Sequence, residues 1–235
     1  MVAKQKGFTL IELMLATSLL MLVLFAGYYG YGLFTEKWQK RTQFYWQQTQ
    51  QSLAFDAISR VFESAAPYIV TSDNNEPAQY FSGDENRVMF ITNSPLFSEK
   101  TSVVEFKILQ NEDSFSLVYN EASMEKNLLL RQSDEIFWQH QVILMDKLES
   151  VSFDYYGWQS FSAAVEEQGR DDDDTDLDLK LTPSSYKQHI MEERRVLPIS
   201  LNFNIKDQQG RESHFPVALP SEAYTVLVDY LRLEV

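Results

Sequence analysis

One carboxylate, Glu12, stands at the edge of an apolar run from Leu13 to Phe34 that carries no charge. A charge near the hydrocarbon edge of a bilayer costs on the order of 3 kcal/mol by insertion scales, and such residues are usually functional. Glu12 therefore calls for a cationic partner. The other candidates for chemistry are weaker. Three histidines, His140, His189 and His214, are scattered along the chain. His189 lies near Glu192 and Glu193 on a candidate helix, which reads as a solvated histidine beside carboxylates. Asp171, Asp172, Asp173, Asp174, Asp176 and Asp178 offer the hard oxygens that calcium takes. An EF-hand loop would need Gly at its sixth and Glu at its twelfth position, and neither is in register, so like-charge repulsion makes this a solvated loop. No H-E-x-x-H, G-x-S-x-G, Walker A or G-x-G-x-x-G pattern occurs. The expectation is no catalytic residue, no metal and no cofactor.

The whole composition narrows the classes further. At 235 residues and 44% hydrophobic, the chain has room for one sizeable domain beside a membrane anchor. Aromatic residues make up 14%, which predicts a packed aromatic core. Acidic residues outnumber basic ones 34 to 20, and no basic cluster of the kind that binds a polyanion follows the apolar run. Nucleic acid is excluded as a partner. The absence of cysteine removes disulfides, thiolate metal sites and cysteine nucleophiles together.

The element that must position Glu12 is a helix. About 22 uncharged residues at 1.5 Å each span roughly 30 Å of hydrocarbon. An ordinary secretory signal would end sooner at a small-residue cleavage site, whereas this run continues into Tyr28, Tyr29, Tyr31 and Phe34, which suit a membrane interface. Beyond it, Trp38, Thr42, Trp46, Thr49, Leu53, Ala57 and Val61 recur at three- and four-residue steps, one apolar stripe that extends the helix toward Pro67. Gly27, Gly30 and Gly32 weaken the upper span by about 1 kcal/mol each relative to Ala; they permit either bending or close helix packing.

Past Pro67 the period changes to two. Val104, Phe106 and Ile108, then a polar turn from Gln110 to Ser114, then Phe115, Leu117 and Tyr119 predict a hairpin. Ile199, Leu201, Phe203 and Ile205, then Asp207-Gln208-Gln209-Gly210, then Phe215, Val217 and Leu219 predict another. Val88 to Thr92, Leu128 to Arg131, Val142 to Met145 and Val151 to Tyr155 are further strand candidates. Trp138, Tyr155, Tyr156 and Trp158 read as core aromatics ahead of partner contacts. The class is α+β: a long N-terminal helix packed on antiparallel sheet.

The segment Lys6-Gly7-Phe8-Thr9-Leu10-Ile11-Glu12-Leu13 resembles the processing and methylation motif of type IV prepilins and type II secretion pseudopilins. It combines a short basic leader, Gly before the cut, an aromatic new terminus and a glutamate five residues into the mature chain. The resemblance implies that a prepilin peptidase cuts after Gly7 and methylates the new amine of Phe8, and that Glu12 is the assembly glutamate. The α-amine of Phe8 on a neighbouring subunit would then be its cationic partner. It also implies a leader (1–7), a transmembrane assembly helix (8–34), an amphipathic continuation (35–66) and a periplasmic β-rich domain (67–235). The anchor would lie in the inner membrane with its N-terminus cytoplasmic.

Within that family, the strand from Leu148 to Tyr156 leading to Trp158, and Leu197-Pro198-Ile199 followed by a strand and Gly210-Arg211, resemble the J-type minor pseudopilins. That likeness implies I-like and K-like tip subunits, the major pseudopilin and the inner-membrane assembly platform as partners. Minor type IV pilins share the same N-terminal machinery and architecture. A membrane-tethered periplasmic enzyme is the alternative from a different class.

Overall fold

The computed structural model describes residues 9–168, 182–220 and 223–233. Their contacts divide the chain into two units, Met1–Ser52 and Leu53–Val235.

In the first unit the backbone is helical from Leu10 onward, as part of α1 (Leu10–Glu63), and it contains the one described helix long and apolar enough to cross a membrane. Its Leu, Val, Met and Phe side chains are exposed on every side from Leu10 to Phe25. A helix that is apolar all round suits lipid better than a protein core. Its few hydroxyls are satisfied within the helix: Thr17 Oγ1 donates to the Leu13 carbonyl at 3.0 Å, Ser18 Oγ to Leu15 at 2.9 Å and Thr35 Oγ1 to Tyr31 at 3.0 Å. In hydrocarbon an unpaired hydroxyl would cost several kcal/mol, on the order of 4 or more.

The second unit begins with the last turns of α1. Ala54, Ile58, Val61 and Phe62 recur at three- and four-residue steps and are buried. They pack on one face of an antiparallel sheet. Its strands are β3 (Phe81–Gly83), β4 (Arg87–Thr92), β5 (Ser102–Gln110), β6 (Phe115–Ser123), β7 (His140–Gly157), β9 (Ser200–Asp207) and β10 (Glu212–Ala218), in the spatial order β10-β9-β7-β6-β5-β4-β3. The short β8 (Ser184–Tyr186) pairs with the end of β7. A separate hairpin joins β1 (Ile69–Thr71) and β2 (Pro77–Gln79). Helices α2 (Phe161–Gln168), α3 (Met191–Arg194) and α4 (Ala223–Leu233) complete the unit.

Phe62 centres the main core, its ring 4.5 Å from Phe90, 4.9 Å from Phe106 and 5.5 Å from Phe203. Alternation on β5 serves both faces: Val104 and Phe106 join this core, while Val103 joins a second one with Val70, Ala78, Tyr80, Leu129 and Met191. The end of α1 is pinned to β4. Thr92 Oγ1 donates to the Val61 carbonyl at 2.7 Å, and the Asn93 amide donates to Ser64 at 2.9 Å, so orphan carbonyls of the last turn find partners.

The α+β class and both expected hairpins are present. Three expectations need correction. The segments Val142 to Met145 and Val151 to Tyr155 belong to one strand, β7, whose first half pairs with β6 and whose second half pairs with β9. Register shifts near Leu148 and a positive φ of 53° at Lys147 mark the change of partner. Leu128 to Arg131 is not a strand. The Asp134 carboxylate accepts the Leu130 and Arg131 amides at 2.8 and 2.9 Å, which leaves a single isolated bridge from Arg131 to Thr71. The apolar stripe on α1 is not buried along its length either. Trp38, Trp46 and Leu53 are exposed, and burial begins at Ala54 on a face where Val61 of the expected stripe is joined by Ile58 and Phe62.

Candidate processing and assembly segment

Gly7 and Phe8, the expected processing pair, lie outside the described residues; Glu12 lies in the first turn of α1. Thr9 precedes the helix. Its backbone N–H donates to Glu12 Oε2 at 3.1 Å, and its hydroxyl donates to the same oxygen at 3.1 Å. The Thr9 Oγ1 also stands 3.4 Å from the Glu12 amide, where it accepts a weak bond. This is a capping box: N-cap threonine and third-position glutamate satisfy each other's backbone donors. A negative charge in the first turn is also favoured by the helix dipole.

Thr9 is thus the helix cap that the sequence pattern offered through its T-x-x-E spacing and that the reading of Glu12 alone leaves out. The carboxylate expected to need a cation already accepts two local hydrogen bonds. These hold it at the start of the helix, close in sequence to the position where a new amine would appear.

The remaining candidates sit elsewhere. His140 is exposed and stacks on Phe97 at 5.0 Å; His214 Nδ1 lies 2.8 Å from Asn204 Oδ1 on the β9–β10 hairpin. His189 corrects the expectation of a solvated histidine. It is buried, bridged through its backbone to Gly83, and its ring meets Phe81 edge-on at 4.8 Å. Its Nδ1 lies 3.0 Å from the Tyr186 hydroxyl. Burial and then the Arg194 charge push it down to about 3, so it is held neutral. The Arg194 guanidinium lies over the Tyr186 ring at 3.4 Å. Glu192 and Glu193 belong to α3, after the histidine. The arrangement is a structural pin where the chain returns to the sheet.

Tyr155 is core, as expected. It stacks on Tyr186, and its hydroxyl donates to the Asp84 carbonyl at 2.9 Å. Trp138 packs, half-buried, against the second core, Trp158 is half-buried, and Tyr156 is partly exposed at the strand end. Among the described residues no three His, Cys, Asp or Glu side chains gather into a group that could hold a metal. The aspartate run from Asp171 to Asp178 lies outside the described residues.

Comparison with known proteins bears on the first segment. No curated protein sequence matches the chain. Among solved structures, a chain of the GspK-GspI-GspJ complex from the enterotoxigenic Escherichia coli type 2 secretion system is similar at 10% identity and a TM-score of 0.43. The match covers 74% of this chain and 98% of that one. Residues 2–28 match the prokaryotic N-terminal methylation motif. Together with the apolar helix, this fits a membrane-anchored protein with a type IV pilin-like N-terminus.

Proposed function

We propose that the chain is a minor pseudopilin of a type II secretion system, a structural subunit that helps start a filament at its tip. The observation that carries this reading is the methylation motif over residues 2–28, with Glu12 held by Thr9 at the first turn of a membrane-length helix. Hydrolysis of the Gly7–Phe8 peptide bond by a prepilin peptidase creates an amine at Phe8. Methylation keeps its positive charge. A carboxylate beside a new cation, both near the hydrocarbon edge, gives a subunit leaving the bilayer a specific electrostatic register, because neither charge is well solvated there.

The domain supplies what a tip subunit needs, a folded body on an anchor. Leu197-Pro198-Ile199 enters β9 with the Ile199 amide donating to Tyr156 at 2.9 Å, and Gly210, at φ 76°, closes the turn before Arg211. These are the residues that resemble the J-type branch. In this reading the partners are I-like and K-like pseudopilins, the major pseudopilin, the peptidase and the inner-membrane platform, with the folded domain in the periplasm.

The test is secretion in a strain lacking this chain, complemented by the wild type or by Glu12→Ala, with co-purification of neighbouring pseudopilins. Restored secretion and a stable ternary assembly with I-like and K-like subunits support the reading. Recovery of piliation instead of secretion would assign the chain to a minor type IV pilin.

A further inference from the structure

Just past the apolar span, α1 presents a face with an unusual mixture of side chains. At about 100° per residue, Phe34, Lys37, Trp38, Arg41, Phe44 and Tyr45 fall within about 120° of one another. All six are exposed, and Phe34 stacks on Trp38 at 6.0 Å. No acid lies on this face. Glu36 is on the other side of the helix, where it pairs with Lys40 at 2.7 Å, and the next acid along the chain is Asp56. Lys37 and Arg41, four residues apart, carry no ion pair among the described residues.

We propose that this face binds anionic phospholipid headgroups at the membrane surface where the span ends. Charge complementarity selects that occupant. The chain carries a net charge of -14, so an anionic leaflet repels most of it. Two free cations stand beside the span, where such a leaflet would lie. Lys37 is about 5 Å and Arg41 about 10 Å along the axis beyond Phe34, and side chains of that length snorkel back to the headgroups. Trp and Tyr rings favour the same layer. An acidic protein helix could satisfy the cations, but it would not explain their placement within reach of the lipid boundary.

The proposal rests on α1 crossing a bilayer, which alkaline extraction of the full chain from membranes checks separately. Of the four tryptophans, Trp38 alone is on this face. Full-length protein with Trp46→Phe, Trp138→Phe and Trp158→Phe is reconstituted into phosphatidylcholine vesicles with or without phosphatidylglycerol, each doped with shallow brominated lipid. Trp38 should be blue-shifted and more quenched with phosphatidylglycerol present. Lys37→Gln with Arg41→Gln, or about 0.5 M salt, should remove the gain; Lys37→Arg with Arg41→Lys should keep it. The docked-to-lifted ratio should fall about 30-fold in the double Gln variant, the equivalent of about 2 kcal/mol for two cations at an anionic surface. Equal quenching in both lipids, or a gain that survives the double Gln substitution, overturns the proposal. So does a double Gln variant that loses association with other subunits while its quenching is unchanged, which would assign the face to an acidic protein. Should the tryptophan substitutions prevent folding, a nitroxide on Thr42→Cys in this cysteine-free chain reads the same lipid dependence.

Discussion

Glu12 and Thr9 cap one another: both donors of Thr9, its amide and its hydroxyl, reach the same carboxylate oxygen of Glu12 at 3.1 Å. The glutamate proposed for assembly is therefore also half of the cap that starts the helix. Both bonds fall on Oε2, so an amine that meets Oε1 leaves the cap in place, whereas one that draws Oε2 takes the cap with it.

Two substitutions separate charge from capping. Glu12→Gln keeps an acceptor for Thr9 and loses the charge, so leader cleavage should persist while incorporation into filaments falls at least about tenfold, the equivalent of ~1.4 kcal/mol. Thr9→Val removes the hydroxyl and keeps the charge, with a cap loss of about 1 kcal/mol. Its incorporation should stay above that of Glu12→Gln. Quantitative blotting of sheared filaments and membranes reads both, and equal incorporation of Glu12→Gln and wild type would remove the electrostatic role.

Phe62 joins α1 to the sheet, in contact with Phe90, Phe106 and Phe203. Phe62→Ala should cost about 3–5 kcal/mol of stability, and Phe62→Leu clearly less. Urea unfolding followed by tryptophan fluorescence measures the difference. A loss under about 1 kcal/mol would mean that the helix end is not part of the cooperative core.

His189 gives the fold an acid sensitivity with a defined sign. Its folded value, about 3, lies below the usual 6.5, so the unfolded chain takes up the proton first. No stability is lost to this group above the unfolded value. Below it, stability falls by about 1.4 kcal/mol per pH unit until the folded value is reached. Between pH 6.5 and 5 the wild type should lose about 2 kcal/mol more than His189→Gln does, read from urea midpoints at each pH. Parallel curves for the two proteins would show that the ring is protonated in the fold.

Glu121 is fully buried and accepts the amides of Leu96, Phe97 and Ser98 at 2.9, 3.0 and 2.8 Å, with the Tyr119 hydroxyl at 2.8 Å. Glu121→Gln turns one acceptor into a donor facing donors. It should destabilise the unit by about 3 kcal/mol and raise hydrogen exchange at residues 96–98 ahead of β5. Unchanged protection there would mean the loop is held by packing alone.

Periodicity made much of this architecture readable, because a buried strand face and a lipid-facing helix impose patterns on consecutive residues. Val104, Phe106 and Ile108 announced β5 in that way, and the uncharged run after Glu12 announced the span. What escaped were features set by distant partners. Leu128 to Arg131 has strand-like side chains, but Asp134 takes two of its amides. His189 sits among charged neighbours in sequence and is buried by Phe81 and Tyr186. The short strands β1, β2, β3 and β8 carry too few residues to show a period. At the candidate processing segment, Glu12 is legible from the cost of its charge, whereas the cap by Thr9 is legible only from the three-residue spacing between them.

Cleavage of the bond between Gly7 and Phe8 is read most directly by intact-mass spectrometry of the full-length gene product extracted from membranes. The predicted mass is that of a chain beginning at Phe8 with one added methyl group, localised to the Phe8 amine by fragmentation. A mature product that retains Met1 to Gly7, or an unmodified Phe8 terminus, would contradict it.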